Sequence, residues 1–123
     1  MNNLLIVGLG GFLGSILRYA VYVWFDKPLL AQFPWATFTV NVMGSFLLGI
    51  FYALAIKFDW FTEHWRLLLI IGFCGSFTTF STFALEGVNF LKADQIFTTL
   101  IYITASVIAS FFAVYVGYRL VGV

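Results

Sequence analysis

The stretch that decides the fold is Gly72-Phe73-Cys74-Gly75-Ser76-Phe77-Thr78-Thr79-Phe80-Ser81-Thr82-Phe83, in the middle of a long apolar segment. Its two glycines and its serines and threonines interrupt a segment that would otherwise form one continuous helix. In hydrocarbon no water binds exposed backbone groups, so irregular backbone persists only where protein or a polar cavity satisfies it. The stretch therefore predicts a third helix that is broken near the membrane midplane, a feature that commonly binds ions or substrates.

The rest of the chain is strongly apolar. Of its 123 residues, 63% are hydrophobic and 9% are charged, whereas about a quarter of the residues in a soluble domain are charged. Apolar segments cover residues 4–25, 35–56, 67–90 and 96–118, and each supplies the roughly 20 residues that a membrane-spanning helix needs. The first lacks the basic start of a cleavable signal peptide. We expect an all-α membrane protein with four transmembrane helices in one domain, residues 1–123.

The basic residues are divided almost evenly between the two ends of the predicted helices. One side holds Lys57, Arg66 and Arg119, and the other holds Lys27 and Lys92, with Arg18 near it. Orientation in a membrane normally follows an excess of Lys and Arg on one side. Either weak cues fix one orientation, or the chain inserts both ways. A chain that inserts both ways can form an antiparallel, dual-topology homodimer with a two-fold axis in the membrane plane.

Polar and small residues in the first two segments allow two interpretations each. Gly10 and Gly14 form a small-xxx-small surface that suits close helix packing. Arg18, on the same face, either extends to the headgroups or lines a water-filled vestibule that attracts anions. Asn41 either forms an interhelical hydrogen bond or donates its N–H groups to a permeating anion.

The third segment places two phenylalanines and a carboxylate after the glycines. Phe80 and Phe83 are spaced i, i+3 and so share a face of the helix. Glu86 is the only acidic residue within the four predicted spans. A carboxylate inside the membrane is a candidate functional group by default, although near the helix end it could simply reach water.

The fourth segment carries Tyr102, Ser106 and Ser110 at strict i, i+4 spacing. This hydroxyl stripe suits either interhelical hydrogen bonds or the replacement of an ion's hydration shell. Together with an amide and phenylalanine ring edges, which carry a positive potential, it favours a small anion. A cation pathway more often shows rings of carboxylates or carbonyl-lined filters.

Catalytic and metal-binding patterns are missing from the sequence. His64 stands alone in a loop, and no group of His, Cys and carboxylates has the spacing of a metal site. No nucleophile–base pair is evident. We therefore expect neither an enzyme nor an organic cofactor, and no nucleic-acid partner.

The stretch from Gly72 to Phe83 closely resembles the signature of the Fluc/CrcB fluoride channel family. The resemblance extends over the glycine-rich first segment with Arg18, over Thr39 and Asn41, and over the hydroxyl stripe of the fourth segment. It implies a fluoride-selective channel for passive export of cytoplasmic fluoride. It further implies an antiparallel homodimer with two pores, in the inner membrane of a bacterium.

The same resemblance implies roles for individual residues. Phe80 and Phe83 would match the family's phenylalanine box, whose paired rings come from different subunits. Asn41 would match the pore asparagine, and Arg18 the basic residue of the vestibule. A polar track would be formed by Thr39, Ser81, Thr82, Glu86, Tyr102, Ser106 and Ser110. A structural sodium ion on the dimer axis would be held by the backbone carbonyls of Gly75 and Thr78 from both subunits.

Two other functions compete with this interpretation. A small multidrug exporter can also insert both ways, but it needs a membrane carboxylate in the first helix, where this chain has Arg18 and no acid. In a non-transporting assembly subunit, the glycines and hydroxyls would serve packing only. Such a subunit would tolerate the substitution Phe80→Ile.

Overall fold

The computed structural model describes residues 2–123. Within that range, four helices are long and apolar enough to cross a membrane: Asn3–Phe25, Trp35–Lys57, Glu63–Lys92 and Ile96–Leu120. These bounds lie within a few residues of the four apolar segments, except that the third helix begins four residues earlier. The prediction of an all-α protein with four membrane-spanning helices is confirmed. The chain is a multi-pass membrane protein.

The helices α1 (Asn3–Phe25), α2 (Trp35–Lys57) and α6 (Ile96–Leu120) are each uninterrupted. The third span, Glu63–Lys92, is composite. It consists of α3 (Glu63–Trp65), a π-helix (Arg66–Cys74), α4 (Gly75–Phe77) and α5 (Phe80–Lys92). Such π-helical turns are rare and are found often at functional sites.

Two residues of the third span have extended backbone between α4 and α5. Thr78 has φ −82° and ψ 159°, and Thr79 has φ −150° and ψ 116°. Gly75, by contrast, has helical angles, with φ −62° and ψ −32°. Regular helical hydrogen bonding therefore ends at Phe77 and resumes at Phe80.

The glycines of α1 bring that helix into direct contact with the third span. A Cβ atom at Gly10 would lie 2.1 Å from the Leu68 carbonyl oxygen, and one at Gly14 would lie 2.1 Å from Ser76 Oγ. Both distances are too short for any side chain. The predicted close packing of this small-residue surface is confirmed.

The helices α2 and α6 form the most extensive helix pair. A Cβ atom at Gly49 would lie 2.2 Å from the Val114 carbonyl oxygen, and one at Gly117 would lie 2.2 Å from the Phe46 carbonyl oxygen. The two backbones thus touch at both glycines. Fully buried side chains beside this pair include Thr37, Val40, Phe77 and Tyr102.

Two basic side chains bind carbonyls at helix C-termini on one side of the bundle. Lys57 Nζ donates to the Val121 carbonyl oxygen just beyond α6, at 2.7 Å. Arg66 Nη2 donates to the Ala55 carbonyl oxygen in the last turn of α2, at 3.0 Å. Cations at this position satisfy free carbonyls and complement the helix dipole.

Candidate functional site

The side chain of Asn41 binds the backbone at the extended residues of the third span. Its Oδ1 accepts from the Thr79 N–H at 2.8 Å, and its Nδ2 donates to the Thr79 carbonyl oxygen at 3.0 Å. In a continuous helix the Thr79 N–H would bind the Gly75 carbonyl. That carbonyl is therefore released from its usual partner. Because an amide nitrogen carries two N–H groups, Asn41 keeps one for a further acceptor.

Threonine hydroxyls also bond to the backbone at this point. Thr79 is the N-cap of α5, and its Oγ1 accepts from the Thr82 N–H at 3.2 Å and donates to Thr82 Oγ1 at 3.1 Å. Thr78 Oγ1 donates to the Cys74 carbonyl oxygen at 2.9 Å. Capping by Ser and Thr is typical of helix N-termini. The Ser/Thr run thus closes one helical segment and opens the next.

A groove of about 520 Å³, which we call the central groove, runs beside these residues. It brings together seven residues that the sequence nominated: Asn41, Gly75, Thr78, Phe80, Phe83, Ser106 and Ser110. All of its lining residues are uncharged. Ser106 Oγ is buried and has no hydrogen-bond partner within residues 2–123. Such an unsatisfied hydroxyl is uncommon in native structures and calls for an explanation such as an ion or water.

The two phenylalanines stand at the edge of the central groove. Their ring centroids are 5.8 Å apart, and the rings are tilted by 49°. Phe83 also packs on Tyr102, with ring centroids 5.0 Å apart. Phe80 is 80% exposed in the single chain, so its ring projects away from the four helices. Only Phe83 is covered in part by its own chain.

Glu86 lies in a hydrogen-bonded cluster of hydroxyls. Thr37 Oγ1 donates to Glu86 Oε1 at 2.7 Å, and the Tyr102 hydroxyl donates to Glu86 Oε2 at 2.7 Å. The hydroxyl of Tyr22 is hydrogen bonded to Thr37 Oγ1. Thr37 and Tyr102 are fully buried. The cluster thus connects four helices, and Glu86, which also borders a cavity described below, is hydrogen bonded within it.

A second cavity, of about 420 Å³, lies on the far side of this cluster and is lined by Tyr22, Asp26, Thr37 and Glu86 among others. A third, of about 460 Å³, continues the central groove past Ser45 and Ser110 to Tyr118. The central groove and the third cavity thus share two hydroxyl groups, those of Ser45 on α2 and Ser110 on α6.

Six of the nominated residues do not line the central groove: Glu86 and Tyr102, which belong to the hydrogen-bonded cluster, together with Arg18, Thr39, Ser81 and Thr82. Thr39 and Arg18 line none of the three cavities described above. Ser81 is exposed, with its Oγ 3.4 Å from Thr79 Oγ1. Thr82 takes part in the cap of α5.

Sequence reasoning missed Tyr22, Thr37 and Thr79. A signal for Thr37 was present, because Thr37, Asn41 and Ser45 repeat at i, i+4 along α2. This stripe has the same spacing as the hydroxyl stripe of α6, and its Asn41 and Ser45 line the central groove together with Ser106 and Ser110. Thr39 lies about half a turn away from it. Nothing in the sequence indicated the contact of Tyr22 with Thr37.

Comparison with known proteins identifies the family. The family described as "CrcB-like protein, Camphor Resistance (CrcB)" matches residues 5–118. A Leptospira interrogans protein named fluoride-specific ion channel FluC is 42% identical over 122 residues, covering 99% of this chain and 92% of its own length. A Chlorobium chlorochromatii protein of the same name is 43% identical, covering 94% and 88%. A Bacillus cereus protein named fluoride-specific ion channel FluC 2 is 43% identical over the full length of both chains. The resemblance found in the sequence is confirmed, and the chain belongs to the CrcB family.

Proposed function

We propose that the protein is a fluoride-selective channel that allows cytoplasmic fluoride to leave the cell passively. The observation that carries the proposal is the central groove, where hydrogen-bond donors meet without any charged side chain. The free Asn41 N–H and the unpartnered Ser106 hydroxyl can both donate to an anion. The names of the relatives support fluoride as that anion.

The direction of transport follows from the chemistry of the ion. Hydrogen fluoride is a neutral weak acid that enters cells, ionises near neutral pH and is trapped as fluoride. A passive anion pathway lets the membrane potential expel it, with about 2.3 kcal/mol per charge for each 100 mV. The bacterial sources of the relatives support a bacterial inner membrane as the location.

The working unit in this proposal is an antiparallel, dual-topology homodimer with two pores. The exposure of Phe80 supports it, because the ring would complete a pore wall only against another chain. The even division of basic residues supports insertion in both orientations. Each phenylalanine box would then combine Phe80 of one subunit with Phe83 of the other. Arg18 would attract anions toward the mouth, and the polar track would run along the hydroxyls of α6.

The third span would be a broken helix, with the break near the membrane midplane. Its extended residues, Thr78 and Thr79, lie near the middle of the span Glu63–Lys92. The two hydrogen bonds between Asn41 and Thr79 supply partners for backbone groups that such a break would otherwise leave unpaired in hydrocarbon.

A structural sodium ion fits the groups at this break. The Gly75 carbonyl has lost its helical partner to Asn41, and the backbone of Gly75 is exposed toward the central groove. Carbonyl oxygens from Gly75 and Thr78 of both subunits would form an all-oxygen set, which suits hard cations. When bound, the ion would supply positive charge that compensates the carbonyl dipoles.

Fluoride flux from liposomes tests the proposal. The wild type should release fluoride and retain chloride, and Phe80→Ile should abolish the release. Phe97→Ile is a matched control, because Phe97 is 82% exposed and lies outside the central groove. Equal chloride flux, or no flux from assembled wild-type protein, would overturn the proposal.

A further inference from the structure

The Glu86 cluster joins all four spans through three hydroxyl groups. Thr37 from α2 and Tyr102 from α6 both bond to the Glu86 carboxylate carried by α5, and Tyr22 from α1 bonds to Thr37. Tyr22 lines the second cavity and does not line the central groove. It is therefore placed to act on the groove only through its neighbours.

Because each hydroxyl has one proton to give, the two bonds donated to Glu86 set the direction of the remaining bond in this cluster. A hydroxyl has one proton, and an ionised carboxylate can only accept. Thr37 gives its proton to Glu86 Oε1, so the Tyr22 hydroxyl must be the donor to Thr37. Tyr102 gives its proton to Glu86 Oε2. It consequently offers only lone pairs to the rest of the α6 stripe, and lone pairs do not bind an anion.

We propose that Tyr22 is a positioning residue of the ion route, which through Thr37 holds the Glu86 carboxylate against Tyr102. The inference rests on the proposed function. An anion that reaches the Tyr102 end of the stripe obtains the phenolic proton only when Glu86 releases it. The hydrogen bonds from Tyr22 to Thr37 and from Thr37 to Glu86 favour the position in which Glu86 is bonded to Tyr102, since hydrogen bonds in a chain polarise and strengthen one another.

Tyr22 also lies near the end of a span, where tyrosines commonly anchor helices at the membrane interface. Anchoring depends on the amphipathic ring, whereas the proposed role depends on a hydroxyl bonded to a fully buried threonine. The substitution Tyr22→Phe keeps the ring and removes the hydroxyl. It therefore separates the two roles.

The first experiment measures fluoride flux from liposomes for Tyr22→Phe. We expect flux to rise about threefold, the factor that corresponds to one average interhelical hydrogen bond of about 0.6 kcal/mol. Tyr19→Phe is the control, because Tyr19 lines the same cavity one turn away and its hydroxyl is not part of the cluster. A Tyr22→Phe channel with unchanged or lower flux overturns the proposal.

The second experiment is a double-mutant cycle, which isolates coupling between neighbours. Thr37→Val should raise flux as well, and adding Tyr22→Phe should change it no further, because Tyr22 acts through Thr37. Thr37→Ser, which keeps the hydroxyl, should restore wild-type flux. Independent effects that multiply to about ninefold would overturn the proposed chain.

A third measurement does not depend on flux. The chain has two glutamates, Glu63 and Glu86, so infrared spectra of protein labelled with ¹³C-glutamate contain two side-chain carboxylate bands, and Glu86→Gln identifies one of them. Tyr22→Phe should shift the Glu86 band and leave the Glu63 band in place. If the wild type conducts fluoride and the Glu86 band of Tyr22→Phe is not shifted, only the role of Tyr22 is overturned. A wild type without fluoride flux instead overturns the proposed function, and the role of Tyr22 in an ion route with it.

Discussion

Asn41 holds Thr79 through both of that residue's backbone hydrogen-bonding groups, at 2.8 Å to the N–H and 3.0 Å to the carbonyl oxygen. This pair of bonds fixes the position and the direction of an extended residue inside a membrane-spanning segment. It also releases the Gly75 carbonyl, which the Thr79 N–H would otherwise bind. A single side chain of α2 thus binds both backbone groups of an extended residue in the third span.

Removing the amide should destabilise the protein. We expect Asn41→Ala to lower the free energy of unfolding by about 1–3 kcal/mol, because a buried N–H and a buried carbonyl lose their partners. Unfolding in detergent micelles measures the change. Asn89→Ala is the control, since Asn89 is exposed near the end of α5. Equal stability of the two variants would contradict a role for Asn41 in holding Thr79.

Ser106 allows stability and transport to be separated. Its hydroxyl is buried without a partner in the described chain, so Ser106→Ala breaks no hydrogen bond and should leave stability equal or slightly higher. The same change removes a donor from the central groove. We expect fluoride flux to fall about tenfold, since a hydrogen bond to an ion contributes about 1.5 kcal/mol.

The control for this prediction is Ser15→Ala, because Ser15 is exposed on α1 and does not line the central groove. That variant should match the wild type in both measurements. A Ser106→Ala channel with wild-type flux would show that the α6 hydroxyls serve packing alone.

The four spans could be predicted from the sequence, since each depends on the length of an apolar run and little else. The π-helix Arg66–Cys74 could not, because its apolar residues are compatible with either kind of helix. The sequence placed the irregular backbone within the stretch Gly72 to Phe83, and the extended residues, Thr78 and Thr79, lie inside it. The glycine signal was misleading there, because Gly75 is helical.

The groove residues on α5 and α6 could be nominated because i, i+3 and i, i+4 spacings put them on one face. Contacts between segments that are distant in sequence could not be predicted in this way. The Asn41–Thr79 and Tyr22–Thr37 bonds depend on which helices are neighbours and at what height, and periodicity within one helix carries neither piece of information. Thr37 was therefore passed over for Thr39, although the helical spacing to Asn41 favoured it.

Gly75 provides a test of the proposed sodium site. A Cβ atom at Gly75 would meet only the Ile70 carbonyl oxygen, at an ordinary 3.9 Å, so its own chain leaves room for a side chain. We expect Gly75→Leu to keep the helical content but to weaken dimer assembly or the sodium dependence of fluoride flux. Gly8→Leu is the matched control, because a Cβ at Gly8 meets nothing within 4 Å. Unchanged assembly and unchanged sodium dependence in Gly75→Leu would remove the sodium assignment.

If the chain inserts in both orientations, variants that are forced into one orientation should conduct fluoride only when two opposite variants are combined. Lysines at one side, in Gln32→Lys with Gln95→Lys, should force one orientation through the positive-inside rule. Lysines at the other side, in Asp59→Lys with Thr62→Lys, should force the opposite one. All four positions are exposed residues outside the four membrane-spanning helices.

Each biased variant alone should lose most fluoride flux, because an antiparallel dimer needs both orientations. Co-expression of the two should restore flux, since one variant supplies each orientation and the groove residues are intact in both. Liposome flux after co-purification with two different affinity tags measures the mixed dimer directly. Full flux from either variant alone, with its orientation verified by accessibility labelling, would contradict the antiparallel dimer and leave a parallel assembly as the working unit.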